Sequence, residues 1–164
     1  MQLQEVLAGM TLKYTHVCYL TEDIDKSIDA LAAMGNKDLK KVDFAYGTYV
    51  MAELPDGYAA PDAEVVGVLR VEIIEPNSEG SFYREHLDRF GHGLHHIGVL
   101  VPDFDRYLDA FTTAGCQMLL DMRPKASQAG EPPASEGAAA AGNFKLCYLD
   151  CSAIGFPTIE LVGT

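Results

Sequence analysis

Positive charge is scarce in this chain: 12 Lys and Arg stand against 24 Asp and Glu, a net charge of −12 at pH 7. Such a surface repels phosphate backbones and anionic lipid headgroups, so no nucleic acid and no membrane partner is expected, and small molecules or other proteins remain. Long apolar runs are missing as well. No stretch approaches the roughly 20 residues that span a bilayer, so no membrane segment is expected. The opening "MQLQEVLAGM" carries Glu5 and has neither a basic start nor a sustained apolar core, unlike a secretory signal. A cytoplasmic protein is the resulting expectation. Cysteine is sparse, and Cys18, Cys116, Cys147 and Cys151 show no CxxC or zinc-ribbon spacing. They are expected as reduced core residues, and nothing beside them in sequence lowers a thiol pKa as a cysteine nucleophile requires.

What the chain does have is a repeat. Its 164 residues, 48% hydrophobic and 22% charged, suit one compact unit of ordinary soluble composition. Within it, "THVCYLTEDIDKSIDALAAMG" at 15–35 aligns without a gap on "HHIGVLVPDFDRYLDAFTTAG" at 95–115. One offset of 80 pairs His16 with His96, Asp23 with Asp103, Asp29 with Asp109 and Gly35 with Gly115. Each copy opens with a strand, His16–Leu20 or His96–Val101. A helix follows, capped by Asp23 or Asp103, with Ile24, Ile28 and Leu31 (or Phe104, Leu108 and Phe111) on one face and Gly35 or Gly115 at its end. Further strand candidates come next: "VDFAYGTYVMAEL" and "EVVGVLRVEIIEP" in the first half, "CQMLLDM", "NFKLCYLD" and "FPTIELVG" in the second. The pattern is βαβββ, used twice.

The expected organisation is a first module over 10–77, a linking helix within 78–93 that buries Phe82, Leu87 and Phe90, and a second module over 94–164. The Ala, Gly, Pro and Ser-rich run at 126–143 is expected to be a mobile loop.

Strand side chains alternate, so in "HHIGVLV" Ile97, Val99 and Val101 should pack on the helix while His96 faces the other way. Val17 and Tyr19 do the same in the first copy, which leaves His16 on the equivalent opposite face. The last strand of each copy carries a carboxylate inside an apolar run, Glu72 in "RVEIIEP" and Glu160 in "PTIELVG". A charge placed there is costly unless it is paired or bound to a cation. Singly, a strand-end histidine is often only hydrogen-bonded and a lone glutamate often faces solvent. As a repeat-related set of two His and two Glu, coincidence is the poorer explanation, and imidazole with carboxylate suits a divalent metal ion such as Co, Ni, Zn, Mn or Fe.

These residues resemble the vicinal oxygen chelate superfamily, which includes glyoxalase I, methylmalonyl-CoA epimerase, extradiol dioxygenases and bleomycin-resistance-type binding proteins. The resemblance runs through "THVCYL…DIDKSIDAL", "VEIIEP", "GLHHIGVLVPD" and "FPTIELVG", and the spacing around the linking helix looks most like methylmalonyl-CoA epimerase. It implies an α+β fold in which two repeated βαβββ modules form a curved, barrel-like mixed sheet cup. It also implies a metal held by His16, Glu72, His96 and Glu160, a homodimer, and a small-molecule carbonyl substrate. The implied activity is that of a metal-dependent isomerase, epimerase or lyase, with proton transfer next to the carbonyl and Glu160 both ligating and shuttling the proton. The epimerase resemblance further implies a second carboxylate base on a strand of the first module. At that place the alignment puts Tyr49, with Glu53 off register, so two-base epimerisation is not supported by the sequence. Tyr49 or Tyr46 could line the cup and donate a hydrogen bond to substrate. Their spacing of three puts them on opposite faces of a regular strand, so at most one should reach it.

His95 is expected to be structural, and His92 to be solvated or near the rim. A coenzyme A thioester would want positive charge, for which Lys37, Lys40, Lys41, Arg123 and Lys125 are the candidates. Two other readings compete: an Fe(II) extradiol-type dioxygenase, against which Glu72 counts as a second carboxylate, and a metal-free small-molecule binding protein, against which the full ligand set counts.

Overall fold

The repeat read in the sequence is a repeat of chain path. The computed structural model describes residues 9–53, 70–77, 79–123 and 144–163. The first copy runs β1 (Lys13–Leu20), α1 (Ile24–Ala33), β2 (Lys41–Phe44), β3 (Gly47–Glu53) and β4 (Arg70–Pro76). Helix α2 (Phe82–Phe90) follows. The second copy runs β5 (Gly93–Val101), α3 (Phe104–Ala114), β6 (Gln117–Asp121), β7 (Lys145–Asp150) and β8 (Thr158–Gly163). Strand order is β2-β3-β4-β1 in the first copy and β5-β8-β7-β6 in the second. In each copy the opening strand pairs parallel with the last one, β1 with β4 and β5 with β8, and the remaining pairs are antiparallel. Each copy is therefore βαβββ, an α+β arrangement.

The same local chemistry starts and stops both long helices. Asp23 accepts a hydrogen bond from the Lys26 N–H at 3.0 Å and Asp103 one from the Arg106 N–H at 3.2 Å, satisfying donors that the first helical turn leaves open. At the other end Gly35 and Gly115 sit at φ 96° and 110°, where a side chain would be strained. The Asn36 and Cys116 N–H groups then reach back to Leu31 O and Phe111 O, the six-to-one closure of a Schellman turn.

Contacts divide the chain into two compact units, one from His16 to His95, the other joining the segment that ends at Thr15 to the segment that begins at His96. The stretch before His16 goes with the second copy because the Tyr107 hydroxyl donates to Thr11 O at 2.7 Å and accepts from Thr11 N–H at 2.6 Å. Met10 and Leu12 also pack on that unit's core, where α3 lays Phe104, Leu108 and Phe111 against Val99, Ile159 and Leu161. In the other unit Ile24 and Leu31 of α1 pack on Val50, Ala52 and Ile73. Helix α2 packs within the same unit through Tyr83, whose ring meets Phe44 at 5.9 Å and Tyr46 at 6.1 Å.

Three expectations are corrected. Helix α2 buries Tyr83 and Leu87 and half-buries Phe82, while Phe90, on the same stripe as Tyr83 and Leu87, is 63% exposed, because it is the helix's last residue and the buried packing ends at Leu87. The stretch holding both tyrosines is a hairpin: Phe44 pairs with Gly47, which puts Tyr46 in the two-residue turn and Tyr49 in β3, so the alternation argument does not apply to them. Cys116 and Cys151 are joined in a disulfide, with Cα atoms 4.4 Å apart, whereas Cys18 and Cys147 are buried and take part in no disulfide. The chain's return from β7 brings Cys151 to the end of α3, a meeting that 35 positions of sequence separation conceal. The 126–143 run, Lys125 and residues 64–69 of the strand candidate "EVVGVLRVEIIEP" lie outside the described residues. Among the described residues no helix is long and apolar enough to cross a membrane.

Candidate metal centre and active site

Register builds one His–carboxylate pair in each copy, by the same rule. In the first copy Cys18 pairs with Glu72 across the parallel β1–β4 ladder, so His16, two residues before Cys18, shares the face of Glu72. The opposite face carries Val71 and Ile73 toward α1. His16 Nε2 lies 3.6 Å from Glu72 Oε2, with side chains 10% and 14% exposed. In the second copy Gly98 pairs with Glu160 across β5–β8, and His96, again two residues earlier, shares that face. His96 Nε2 lies 4.0 Å from Glu160 Oε2, and the imidazole is fully buried. Parity as read from the sequence holds on the helix side for Ile97, Val99 and Val101. Tyr19 has the expected parity but is 41% exposed at the strand's end.

Each pair has the chemistry and spacing of metal donors. Ligand atoms bonded to one ion at about 2.0–2.2 Å lie roughly 3 to 4 Å from one another, and both separations fall in that span. Burial, assisted by the Arg70 guanidinium, holds the His16 pKa down to about 4, so its imidazole is neutral at physiological pH, the form that ligates. Burial pushes Glu160 up to about 7, opposed by the hydrogen bond it accepts from Tyr148. A carboxyl poised there suits general acid–base work near neutrality.

Tyr148 is the residue that sequence reasoning missed. Its hydroxyl donates to Glu160 Oε1 at 2.7 Å, and its ring stands edge-on to His96 with centroids 5.1 Å apart. The antiparallel β7–β8 register sets Tyr148 opposite Glu160. That register depends on the seven-residue connection containing a short 3-10 turn at Ser152–Ile154; alternation in "NFKLCYLD" limits the face but not the partner.

The other candidates fall as follows. Tyr49 pairs with Ile74 and so shares the face of Glu72; burial, then the Glu72 charge, raises its pKa. Glu53 stands opposite Arg70 and is ion-paired with it at 2.9 Å. Of the basic residues, Lys41 pairs with Asp25 at 2.6 Å and Arg123 with Asp121 at 2.6 Å, while Lys37 and Lys40 are exposed. Burial lifts the Cys147 thiol to about 12, which removes it as a nucleophile.

His92 is exposed, whereas His95 is 4% exposed and set among Phe82, Tyr83 and His86, with ring centroids 4.7 to 5.2 Å away. Burial, and then the neighbouring His86, hold the His95 pKa down to about 3. The unfolded chain titrates this group near 6.5, so between pH 6.5 and about 3 it binds more protons than the fold, and stability falls as pH falls through that window. At about 1.4 kcal/mol per unit, the full window is worth on the order of a few kcal/mol. Melting temperatures of the metal-free protein from pH 7.5 to 4 are therefore expected to drop, and less steeply for His95→Gln. An equal slope in the variant would assign the acid limb to other groups.

No protein-family model matches the sequence, and no curated relative does. Solved structures do match in fold. A Streptomyces coelicolor methylmalonyl-CoA epimerase variant in complex with 2-nitronate-propionyl-CoA is 18% identical, with 95% of this chain and 96% of that one covered and a TM-score of 0.62. A methylmalonyl-CoA epimerase in complex with methylmalonyl-CoA and NH4+ is 19% identical over 95% and 96%, with a TM-score of 0.61. The Mycobacterium tuberculosis methylmalonyl-CoA epimerase is 18% identical over 92% and 86%, with a TM-score of 0.57. The chain thus has the vicinal oxygen chelate fold that those epimerases have.

Proposed function

We propose that this protein is a divalent-metal-dependent isomerase or epimerase that moves a proton next to the carbonyl of a small oxygen-chelating substrate, with a coenzyme A thioester as the substrate class. The observation that carries the reading is the matched pair: each copy of the repeat sets one histidine and one glutamate side by side, at the same register, on the sheet face away from its helix. His16, Glu72, His96 and Glu160 would hold the ion between them. The ion would supply a Lewis acid for the negative charge that develops on the substrate carbonyl oxygen. Support for the substrate class comes from the complexes of the similar folds, which hold coenzyme A thioesters.

In this reading the chain's own residues do the proton work. Glu160, whose carboxylate lies beside His96, takes the proton from the carbon beside the carbonyl. Tyr49, on the Glu72 face, donates a hydrogen bond to a substrate oxygen. Glu53 is spent on Arg70, so return of the proton to either face by two carboxylates is not what this chain is built for. Exchange without inversion is the expected signature of an isomerase, and inversion, with a donor other than a second carboxylate on the opposite face, that of an epimerase.

The test is metal analysis of wild type beside His96→Ala after reconstitution with Co, Ni, Mn, Zn or Fe, then solvent-deuterium exchange with methylmalonyl-CoA. About one equivalent of metal in wild type, a loss of at least tenfold in affinity in the variant, and deuterium at the carbon beside the thioester carbonyl are expected. No bound metal from any of these solutions would overturn the reading in favour of a metal-free binding protein.

A further inference from the structure

Positive charge is scarce in this chain, yet one cation stands beside the metal donors of the first copy. Arg70 opens β4 two residues before Glu72, so the two side chains share the sheet face away from α1. Val17 pairs with Val71 across the parallel ladder, which sets His16 level with Arg70, and the guanidinium is near enough for its charge to act on the imidazole. Among the described strand residues from His16 to Pro76, Arg70 is the one Lys or Arg on that face. Lys41 has the opposite parity, pairing with Val50 of the helix-side core, and is bound to Asp25. Arg70 Nε and Nη2 both donate to Oε1 of Glu53, at 2.9 Å, which occupies the side edge of the guanidinium. The end edge, formed by Nη1 and the second N–H of Nη2, meets no acid among the described residues, and the side chain is 55% exposed. An edge of that shape takes a carboxylate through two parallel hydrogen bonds.

We infer that Arg70 is a specificity-determining residue that binds a carboxylate of the substrate, so that the thioester this site selects carries a free acid group beside the carbon that loses its proton. The inference rests on the reading above for the thioester and adds to it the residue that reads the acyl part. Arg70 stands next to the His16–Glu72 pair rather than in it, and a guanidinium keeps its charge at every physiological pH. Recognition of a carboxylate there needs neither the metal nor a change of protonation. The side edge can stay on Glu53 while the end edge takes the substrate, and an ion pair exposed on both sides is weak, so a variant that loses it keeps its fold. Coenzyme A brings phosphates of its own, and the two thioesters compared below share them.

The probes are methylmalonyl-CoA and propionyl-CoA, which has the same coenzyme and a hydrogen in place of the carboxylate. Their binding is measured by calorimetry in wild type, Arg70→Gln and Arg70→Lys, once without metal and once with Co(II). Wild type is expected to bind the carboxylated thioester about tenfold more tightly, the scale of a hydrogen bond to a charged group. Arg70→Gln should bring the two thioesters within about twofold of each other by weakening methylmalonyl-CoA alone, while Arg70→Lys, a point charge without the planar fork, should keep part of the preference. Lys26→Gln removes the same charge from the exposed side of α1 and should leave the preference at its wild-type value, with the same far-UV circular dichroism spectrum in all four proteins. An equal preference in wild type and Arg70→Gln, or none in wild type in either state, overturns the assignment. Equal weakening of both thioesters in Arg70→Gln would put a coenzyme phosphate on Arg70 and overturn it as well. Failure of the metal-dependent reading shows separately, as no uptake of Co(II) by wild type, and the comparison without metal then decides the role of Arg70.

Discussion

Glu160→Gln is expected to slow exchange of the proton next to the substrate carbonyl by about 10²- to 10⁴-fold, the usual contribution of a positioned general base. Glutamine has the shape of glutamate, and its amide oxygen can still accept from the Tyr148 hydroxyl, which now bonds Glu160 Oε1 at 2.7 Å. It cannot take up a proton. Stability should move the other way, which separates loss of chemistry from loss of fold. Burial raises the Glu160 pKa to about 7 in the folded chain, above the ordinary carboxylate value near 4.3. With the folded value the higher one, the folded protein binds the extra proton between those pH values, and the stability it confers is present below pH 4 and lost as pH rises through 7. In the metal-free protein at pH 8 the charged carboxylate is a burden that glutamine does not carry, so the variant should melt at a higher temperature than wild type. Deuterium incorporation followed by mass spectrometry, with thermal melts of both metal-free proteins, makes the check. Exchange at the wild-type rate would remove Glu160 as the base.

Cys151→Ala should cost about 3–4 kcal/mol of stability. The bond to Cys116 closes a loop across a sequence separation of 35, and a crosslink of that span restricts the unfolded chain by about that much. For a chain of this size the loss corresponds to a fall of roughly 10 °C in melting temperature. Reductant should bring wild type down toward the variant and leave the variant where it is. Both cysteines are almost fully buried, at 4% and 0% exposure, within the core packed on α3, so reduction should be slow until the unit opens. A melt of wild type that ignores reductant would show that the pair is not bonded in solution. Disulfides are uncommon in the reducing cytosol, and the cytoplasmic expectation drawn from the N-terminal sequence stands against this bond; counting free thiols in freshly lysed cells decides between them.

The two cysteines also show where reading a sequence stops. Their meeting depends on the path from α3 through β6 and β7 and back, and no local pattern reports it. Phe90 went astray for a related reason: apolar character places a residue on a helical stripe, but only the packed neighbours say where along the helix the stripe leaves the core. Tyr46 failed on a turn, because a two-residue hairpin inside one apolar run shifts every later residue relative to the strand before it.

Other features were legible because their causes are local or periodic. Asp23 and Asp103 cap their helices with their own side chains, Gly35 and Gly115 take the left-handed turn, and alternation assigns Val99 and His96 to opposite faces of β5. A gapless offset of 80 carries all of these from one copy to the other, which is why the sequence by itself determined the βαβββ repeat and the face on which each histidine lies. It also marked Glu72 and Glu160, since a carboxylate in an apolar strand is conspicuous by its desolvation cost. Tertiary structure alone decided the distances within each His–Glu pair, the bond between Cys116 and Cys151, and the choice of Tyr148 rather than another strand residue to stand across from Glu160. Those are matters of register between strands distant in the chain, and register is set by loop lengths and packing that no single strand's pattern contains.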